Sequence, residues 1–236
     1  MTATPSAKPV VELRIWGVDR VGPALLRVAS GRRALRHLPG LRFAKVMGTG
    51  SARTFTPRDA DTHHWALLTV WADADAAATG AASRYLRSWD RAGSETLIVR
   101  MVPLASRGRW SRREPFGTNA PRARRTDWTG PVAALTRARL RPTRMASFWR
   151  AVPPVVGDLT AAPGVRLALG VGEAPIGLQG TFSLWDNSGA LTDFAYRSAG
   201  HVSAIRETGP QRWYAEELFA RFGVESVIGT YRGITP

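Results

Sequence analysis

Residues Pro39-Gly40-Leu41-Arg42-Phe43-Ala44, followed by Gly48, return 124 positions later as Pro163-Gly164-Val165-Arg166-Leu167-Ala168, followed by Gly172. A second block, Leu68-Thr69-Val70-Trp71-Ala72-Asp73, returns 114 positions later as Phe182-Ser183-Leu184-Trp185-Asp186. Two matching blocks in the same order argue for a duplicated unit of roughly 100 residues, the size of a small domain. The chain must therefore fold into something that two similar halves can build. The places where the halves disagree are where chemistry is to be sought.

In the first half, short runs rich in β-branched and aromatic residues, set apart by Gly and Pro, predict strands at 10–18, 41–47, 64–71 and 96–102. Helices are expected at 23–36 and 75–90, the second capped by Asp73. The second half repeats this with strands at 132–140, 165–171, 181–185 and 224–231 and helices at 143–152 and 189–206, Asn187 and Ser188 supplying the cap. One element has no counterpart, a strongly amphipathic helix expected over 211–222. The order βαββαβ, twice, is the ferredoxin-like pattern. The expected class is α+β: two ferredoxin-like repeats forming a single chain like a dimeric α+β barrel, with a cleft between sheet and helices. Along the chain this gives a disordered tail at 1–9, an N-terminal repeat at 10–103, a basic linker at 104–130 and a C-terminal repeat at 131–236.

The chain has 236 residues and no cysteine, which removes disulfides, zinc–thiolate sites, iron–sulfur clusters, cysteine nucleophiles and thiolate-ligated haem. A cytoplasmic location follows as the expectation. No apolar run approaches the ~20 residues of a membrane span. The net charge is +15, and thirteen arginines against two acids lie between Arg100 and Arg150. A solvated linker and helix faces account for such a patch. An anionic membrane, carboxylate groups or, less expected, nucleic acid are the partners it could attract. Gly48-Thr49-Gly50-Ser51 lacks the Gly-Lys-Ser/Thr ending of a phosphate loop. Serine-elbow, zinc-protease, EF-hand and dinucleotide-binding motifs are absent as well.

Four histidines remain. His63 and His64 adjoin on a strand and point to opposite faces, so they do not share a metal, and His37 suits the end of the first helix. On the helix expected over 189–206, Leu191, Phe194, Ser198, His201 and Ile205 share one face. A histidine in an apolar stripe is either a core residue bonded to a backbone carbonyl or an axial ligand to haem iron, and the stripe leaves both open. At the 114-residue offset the first half carries Arg87 in its place. Arg137, Arg139, Arg141 and Arg221 could each pair with haem propionates. Phe148, Trp149, Trp185, Trp213, Tyr214 and Phe219 could wall a large flat ligand or simply fill the core.

The second half carries a recognisable series: Pro131-Val132-Ala133-Ala134-Leu135-Thr136-Arg137-Ala138, Arg141-Pro142, Phe148-Trp149, Gly172-Glu173, Thr181-Phe182-Ser183-Leu184-Trp185, His201-x-x-Ala204-Ile205-Arg206 and Trp213-Tyr214-Ala215-Glu216-Glu217-Leu218-Phe219-Ala220-Arg221-Phe222. The first half adds Pro39-Gly40-Leu41, Gly48-x-Gly50, Phe55-Thr56-Pro57 and Arg107-Gly108-x-Trp110-Ser111. From about Val10 to Gly233 the chain resembles the spheroidene monooxygenase family, which oxidises carotenoids. More distantly it resembles haem enzymes on duplicated ferredoxin-like barrels, including chlorite dismutase-like proteins and aldoxime dehydratases. The resemblance implies haem b and its iron held by His201, a dioxygen-dependent monooxygenase reaction, a ferredoxin-type electron donor, and a small hydrophobic or secondary-metabolite substrate. It favours Arg137 and Arg221 for the propionates, with Trp185, Phe194 and Ile205 around the cofactor. Two other readings stand beside it: a haem-dependent dehydratase rearranging an N–O substrate, and a non-catalytic haem- or polyanion-binding protein. A homodimer and a peripheral contact with the inner membrane complete the expectations. The arginine clusters of the linker and residues 126–129 depart from the family pattern.

Overall fold

All nine residues of β1 (Val10–Val18) are buried, as in a strand covered on both faces. Alternation sends Val11, Leu13 and Ile15 into one core and Val10, Trp16 and Val18 into clusters beneath helices. The computed structural model describes residues 8–51, 59–117, 128–144, 147, 159, 161–173, 178–197 and 213–236. After β1 come α1 (Val21–Leu35), β2 (Leu41–Gly50), β3 (Ala60–Trp71), α2 (Ala74–Ala81), α3 (Arg84–Asp90) and β4 (Gly93–Gly108). The second half contributes β5 (Val132–Leu140), β6 (Val165–Gly172), β7 (Leu178–Trp185), α4 (Ser188–Arg197) and β8 (Tyr214–Gly229).

The eight strands close into one antiparallel barrel in the order β1-β3-β2-β6-β7-β5-β8-β4. Each half supplies the same four-strand order, β4-β1-β3-β2 and β8-β5-β7-β6, so the α+β fold is two ferredoxin-like sheets joined at two seams. At one seam the repeated glycines Gly48 and Gly172 are direct partners. At the other, the pairs Leu97–Gly229 and Leu218–Gly108 are one pairing seen twice. A pseudo-two-fold axis therefore relates the halves, and closure leaves no strand edge open to solvent.

The same symmetry plugs the barrel at both ends. β4 ends at Gly108 (φ 88°) and β8 at Gly229 (φ 92°). Any side chain at these glycines would collide with the carbonyl of Glu217 or of Thr96. Each chain then makes a tight turn, closed by the Trp110–Arg113 and Tyr231–Ile234 bridges, and Trp110 and Tyr231 both join the barrel core. Glu216 accepts the N–H groups of Ser111 and Arg112 at 3.0 and 2.7 Å. Glu95 accepts those of Arg232 and Gly233 at 2.8 and 2.6 Å. Each plug is thus gripped by a glutamate on the last strand of the other half.

Three expectations need correction. Residues 214–222 form part of the sixteen-residue strand β8, not a helix. Ala, Glu and Leu favour a helix there, but pairing with β4 and β5 satisfies the backbone and turns Leu218, Ala220, Phe222 and Val224 inward. The helix expected over 75–90 is two helices, because Ser83 starts a second one with its hydroxyl accepting Leu86 N–H at 3.4 Å. Residues 104–108 belong to β4 rather than to a linker. Asp73 does cap α2, accepting Ala76 N–H at 2.8 Å. Residues 1–7, 118–127, most of the helix expected at 143–152, and 198–212 lie outside the described residues.

Candidate functional site

The outer face of each half-sheet lies beneath helices, and there the two halves part. What they share is scaffold. Val10 pairs with Trp71 as Val132 pairs with Trp185. Trp71 Nε1 donates to Thr69 Oγ1, and Trp185 Nε1 to Ser183 Oγ, both at 2.9 Å.

In the first half this face is sealed. Glu12, 1% exposed, lies across from Arg100. One of its oxygens accepts from Arg100 Nη2 at 2.8 Å and the other from Arg14 Nη2 at 3.1 Å. Gly80 lets α2 rest on Trp71, and even a methyl group there would fall inside the indole. Tyr85, Leu86 and Trp89 of α3 are buried with Trp16, whose ring stacks on Trp89 at 5.3 Å.

The second half keeps the frame but fills it differently, with Leu159, Trp185 and Leu191 buried together and Trp128, Ala134 and Phe194 packed against them. Ala134 stands where Glu12 stands, directly across from Arg221. By the same register Thr136 replaces Arg14 and Ala138 replaces Trp16. Asn187 caps α4 through Ala190 N–H at 3.0 Å as Asp73 caps α2. Ala77 and Gly80 therefore become Leu191 and Phe194. The Phe194 ring lies 5.3 Å from that of Trp185 and packs against it. α4 also runs on through Tyr196 and Arg197, the positions at which the first half breaks between α2 and α3. The result is an apolar wall beside a half-buried guanidinium that has no ion-pair partner among the described residues. A cation so placed favours an acidic group supplied by a ligand.

Arg221, Trp185 and Phe194 thus share this outer face. Arg137 does not. It holds the register position of Ile15 and faces the barrel interior, 4% exposed. There its guanidinium pairs with Glu216 and, at 3.1 Å, with Glu173. Lys45 and Trp110 Nε1 also bind Glu173, each at 2.5 Å. Burial alone would raise the Glu216 carboxyl, but the N–H groups of Arg112 and Ser111 and the Arg137 cation hold it below the usual range. Arg137 is paired with two carboxylates on the inner face of the sheet, so it is a barrel residue. Arg221 stands in the middle of β8 and ends no helix.

His201, Ile205, Phe148 and Trp149 lie outside the described residues. Arg87, the counterpart of His201, is exposed on α3 and donates to the Ala82 carbonyl at 2.6 Å. Because α4 does not break where α3 begins, that position does not set the facing of His201. Trp213 is buried, its Nε1 donating to Ser147 Oγ at 3.0 Å, and Phe219 lies beneath Arg107 at 4.6 Å. His64 is held between Asp61 and Glu95 at 2.8 and 3.2 Å, at the end of the barrel plugged by Tyr231. Among the described residues no cluster of three or more His, Asp or Glu side chains could hold a metal ion. No described helix is long and apolar enough to cross a membrane.

Sequence reasoning missed the exchange of Glu12 for Ala134, and also Trp128. The Trp128 indole covers Gly223 and donates to the Pro131 carbonyl at 2.8 Å. The exchange was visible in Val10-Val11-Glu12-Leu13 against Val132-Ala133-Ala134-Leu135, once the strands are paired.

No protein-family profile matches the sequence. Among solved structures, two of aldoxime dehydratases superpose on the chain. One has a TM-score of 0.64, covering 97% of this chain and 86% of that one. The other, a complex with butyraldoxime, has a TM-score of 0.62, covering 94% and 81%. Both are 11% identical, so the likeness is one of fold. The sequence relatives say more. Spheroidene monooxygenase of Rubrivivax gelatinosus is 36% identical over 93% of this chain and 80% of its own length. That of Rhodobacter capsulatus is 30% identical over 97% and 95%. That of Cereibacter sphaeroides is 31% identical over 95% of this chain, which spans 66% of the relative's length. With identity at this level along nearly the whole chain, the protein belongs to the spheroidene monooxygenase family.

Proposed function

We propose that the chain is a haem-dependent monooxygenase, taking electrons from a ferredoxin-type donor and using dioxygen to oxygenate an extended hydrophobic substrate. The observation that carries this reading is the difference between the two outer faces. One half seals the space between sheet and helices with Glu12, Trp16, Tyr85, Leu86 and Trp89. The other sets Ala134, Thr136 and Ala138 there and leaves Arg221 without an ion-pair partner among the described residues.

In this reading His201 would hold the haem iron and Arg221 would meet a propionate. Trp185, Phe194 and Ile205 supply the apolar wall, with Trp128 closing one end over Gly223. Haem so bound would supply one-electron and dioxygen chemistry. The chain's own part is to exclude water with Trp185 and Phe194, to fix the cofactor's acidic edge at Arg221, and to keep β7 rigid through the Trp185–Ser183 hydrogen bond. The names of the relatives point to a long polyene as the kind of substrate an apolar cleft would accept.

Haem titration of purified protein tests this. The wild type is expected to develop a Soret band that His201→Ala abolishes or strongly shifts. Arg221→Ala is expected to keep the band but weaken haem binding about tenfold or more, the worth of one charge-assisted hydrogen bond. An unchanged spectrum in His201→Ala would remove the ligand assignment, and unchanged affinity in Arg221→Ala the propionate contact.

A further inference from the structure

Six arginines of residues 100–150 gather where sequence alone would not place them, around one end of the barrel. Arg107, Arg109, Arg112, Arg113, Arg139 and Arg141 are all exposed, and the start of β8 ties them together. Arg109 N–H donates to the Glu217 carbonyl at 2.7 Å and Arg112 N–H to Glu216. Arg139 is the cross-strand partner of Glu216, and Arg141 N–H donates to the Trp213 carbonyl at 2.8 Å. The nearby acids do little to cancel the charge. Glu216 is spent on the plug and on Arg137, Glu114 pairs with Arg109 at 3.4 Å, and Glu217 is left against the whole rim.

The rim adjoins the cleft. Arg107 stacks over Phe219, which lies two residues from Arg221 on the same face of β8, roughly 7 Å along the strand. We propose that this rim is the docking surface for a small acidic electron-transfer protein of the iron–sulfur class. The inference rests on the proposed function, which requires external electrons, and charge complementarity selects the partner. Among the described residues, the exposed large apolar side chains are Leu25, Leu26, Tyr196, Ile228 and Ile234. Leu25 and Leu26 lie on α1 and Ile228 and Ile234 at the Tyr231 end of the barrel, so none of these four gives the rim an apolar side chain for insertion into a bilayer.

The test uses the full chain and an acidic plant-type [2Fe–2S] ferredoxin as the probe, with binding measured directly by calorimetry. The wild type should bind at low salt and lose affinity at high salt, as the screening length shrinks. Arg107→Glu with Arg139→Glu should weaken binding tenfold or more at low salt, while Leu25→Glu with Leu26→Glu on the distant α1 should leave it unchanged. Circular dichroism and the thermal midpoint check that each variant folds. Equal binding by the rim variant and the wild type overturns the proposal. So does a rim-dependent affinity for anionic vesicles or duplex DNA with none for ferredoxin. The readout does not depend on haem, so a protein that binds ferredoxin through the rim yet takes up no haem would sink the proposed function and leave the docking surface standing.

Discussion

Among individual residues, Glu95 carries the most local electrostatic consequence. Burial alone would raise its carboxyl. The N–H of Gly233, the hydroxyl of Thr230, the N–H of Arg232 and His64 outweigh that and bring it down to about 2 from 4.5. A carboxyl with its folded-state pKa depressed stabilises the fold fully above its unfolded value, and the contribution is lost as pH falls from 4.5 toward about 2. Thermal melts should therefore show the wild type losing stability through this window, with Glu95→Gln less stable near neutrality and converging on the wild type in acid. Parallel curves at every pH would count against the Glu95 grip on the Tyr231 plug. Arg137 gives the lesson about faces. Its place on a strand was legible. Which side of the sheet was barrel and which was cleft was not, because period-2 alternation separates two faces without saying what covers either.

Among elements, α2 and α4 show how one helix can be placed in two ways on the same sheet. Gly80 and Ala77 let α2 lie against Trp71, while on α4 the larger Phe194 and Leu191 side chains pack against Trp185. Gly80→Ala is therefore expected to destabilise the protein by about 1–3 kcal/mol through overpacking, despite the better helix propensity of alanine. Urea unfolding reads this directly, and a stabilised variant would contradict the close approach of helix and ring. The helical expectation over 211–222 failed for an identifiable reason. Alanine, glutamate and leucine are good helix formers, yet Leu218, Ala220, Phe222 and Val224 also alternate with period two. Local propensity favoured one reading, and two neighbouring strands needing partners imposed the other.

For the whole molecule, the barrel makes the two halves interdependent. β4 and β8 pair across the long seam, and each half's plug is held by the other half's glutamate. Trp110 is fully buried, in edge contact with Phe43 at 5.4 Å and beneath Arg137 at 5.6 Å. Trp110→Ala should cost about 3–5 kcal/mol and lower a single unfolding transition seen alike by circular dichroism and tryptophan fluorescence. Two separated transitions would mean that the halves unfold independently.

The sequence by itself determined the duplication, the βαββαβ order of each copy, the Asp73 and Asn187 caps and the family. Each of these rests on local patterning or on residue identity, which need no knowledge of what lies across space. Only the tertiary structure decided that β8 is a strand, that Arg137 belongs to the barrel, and that Arg221 faces Ala134 where Arg100 faces Glu12. Those are facts about cross-strand register and the closing of seams between residues a hundred positions apart. The offset between the copies changes from block to block along the chain, so only the paired strands say which residue of one copy answers which residue of the other.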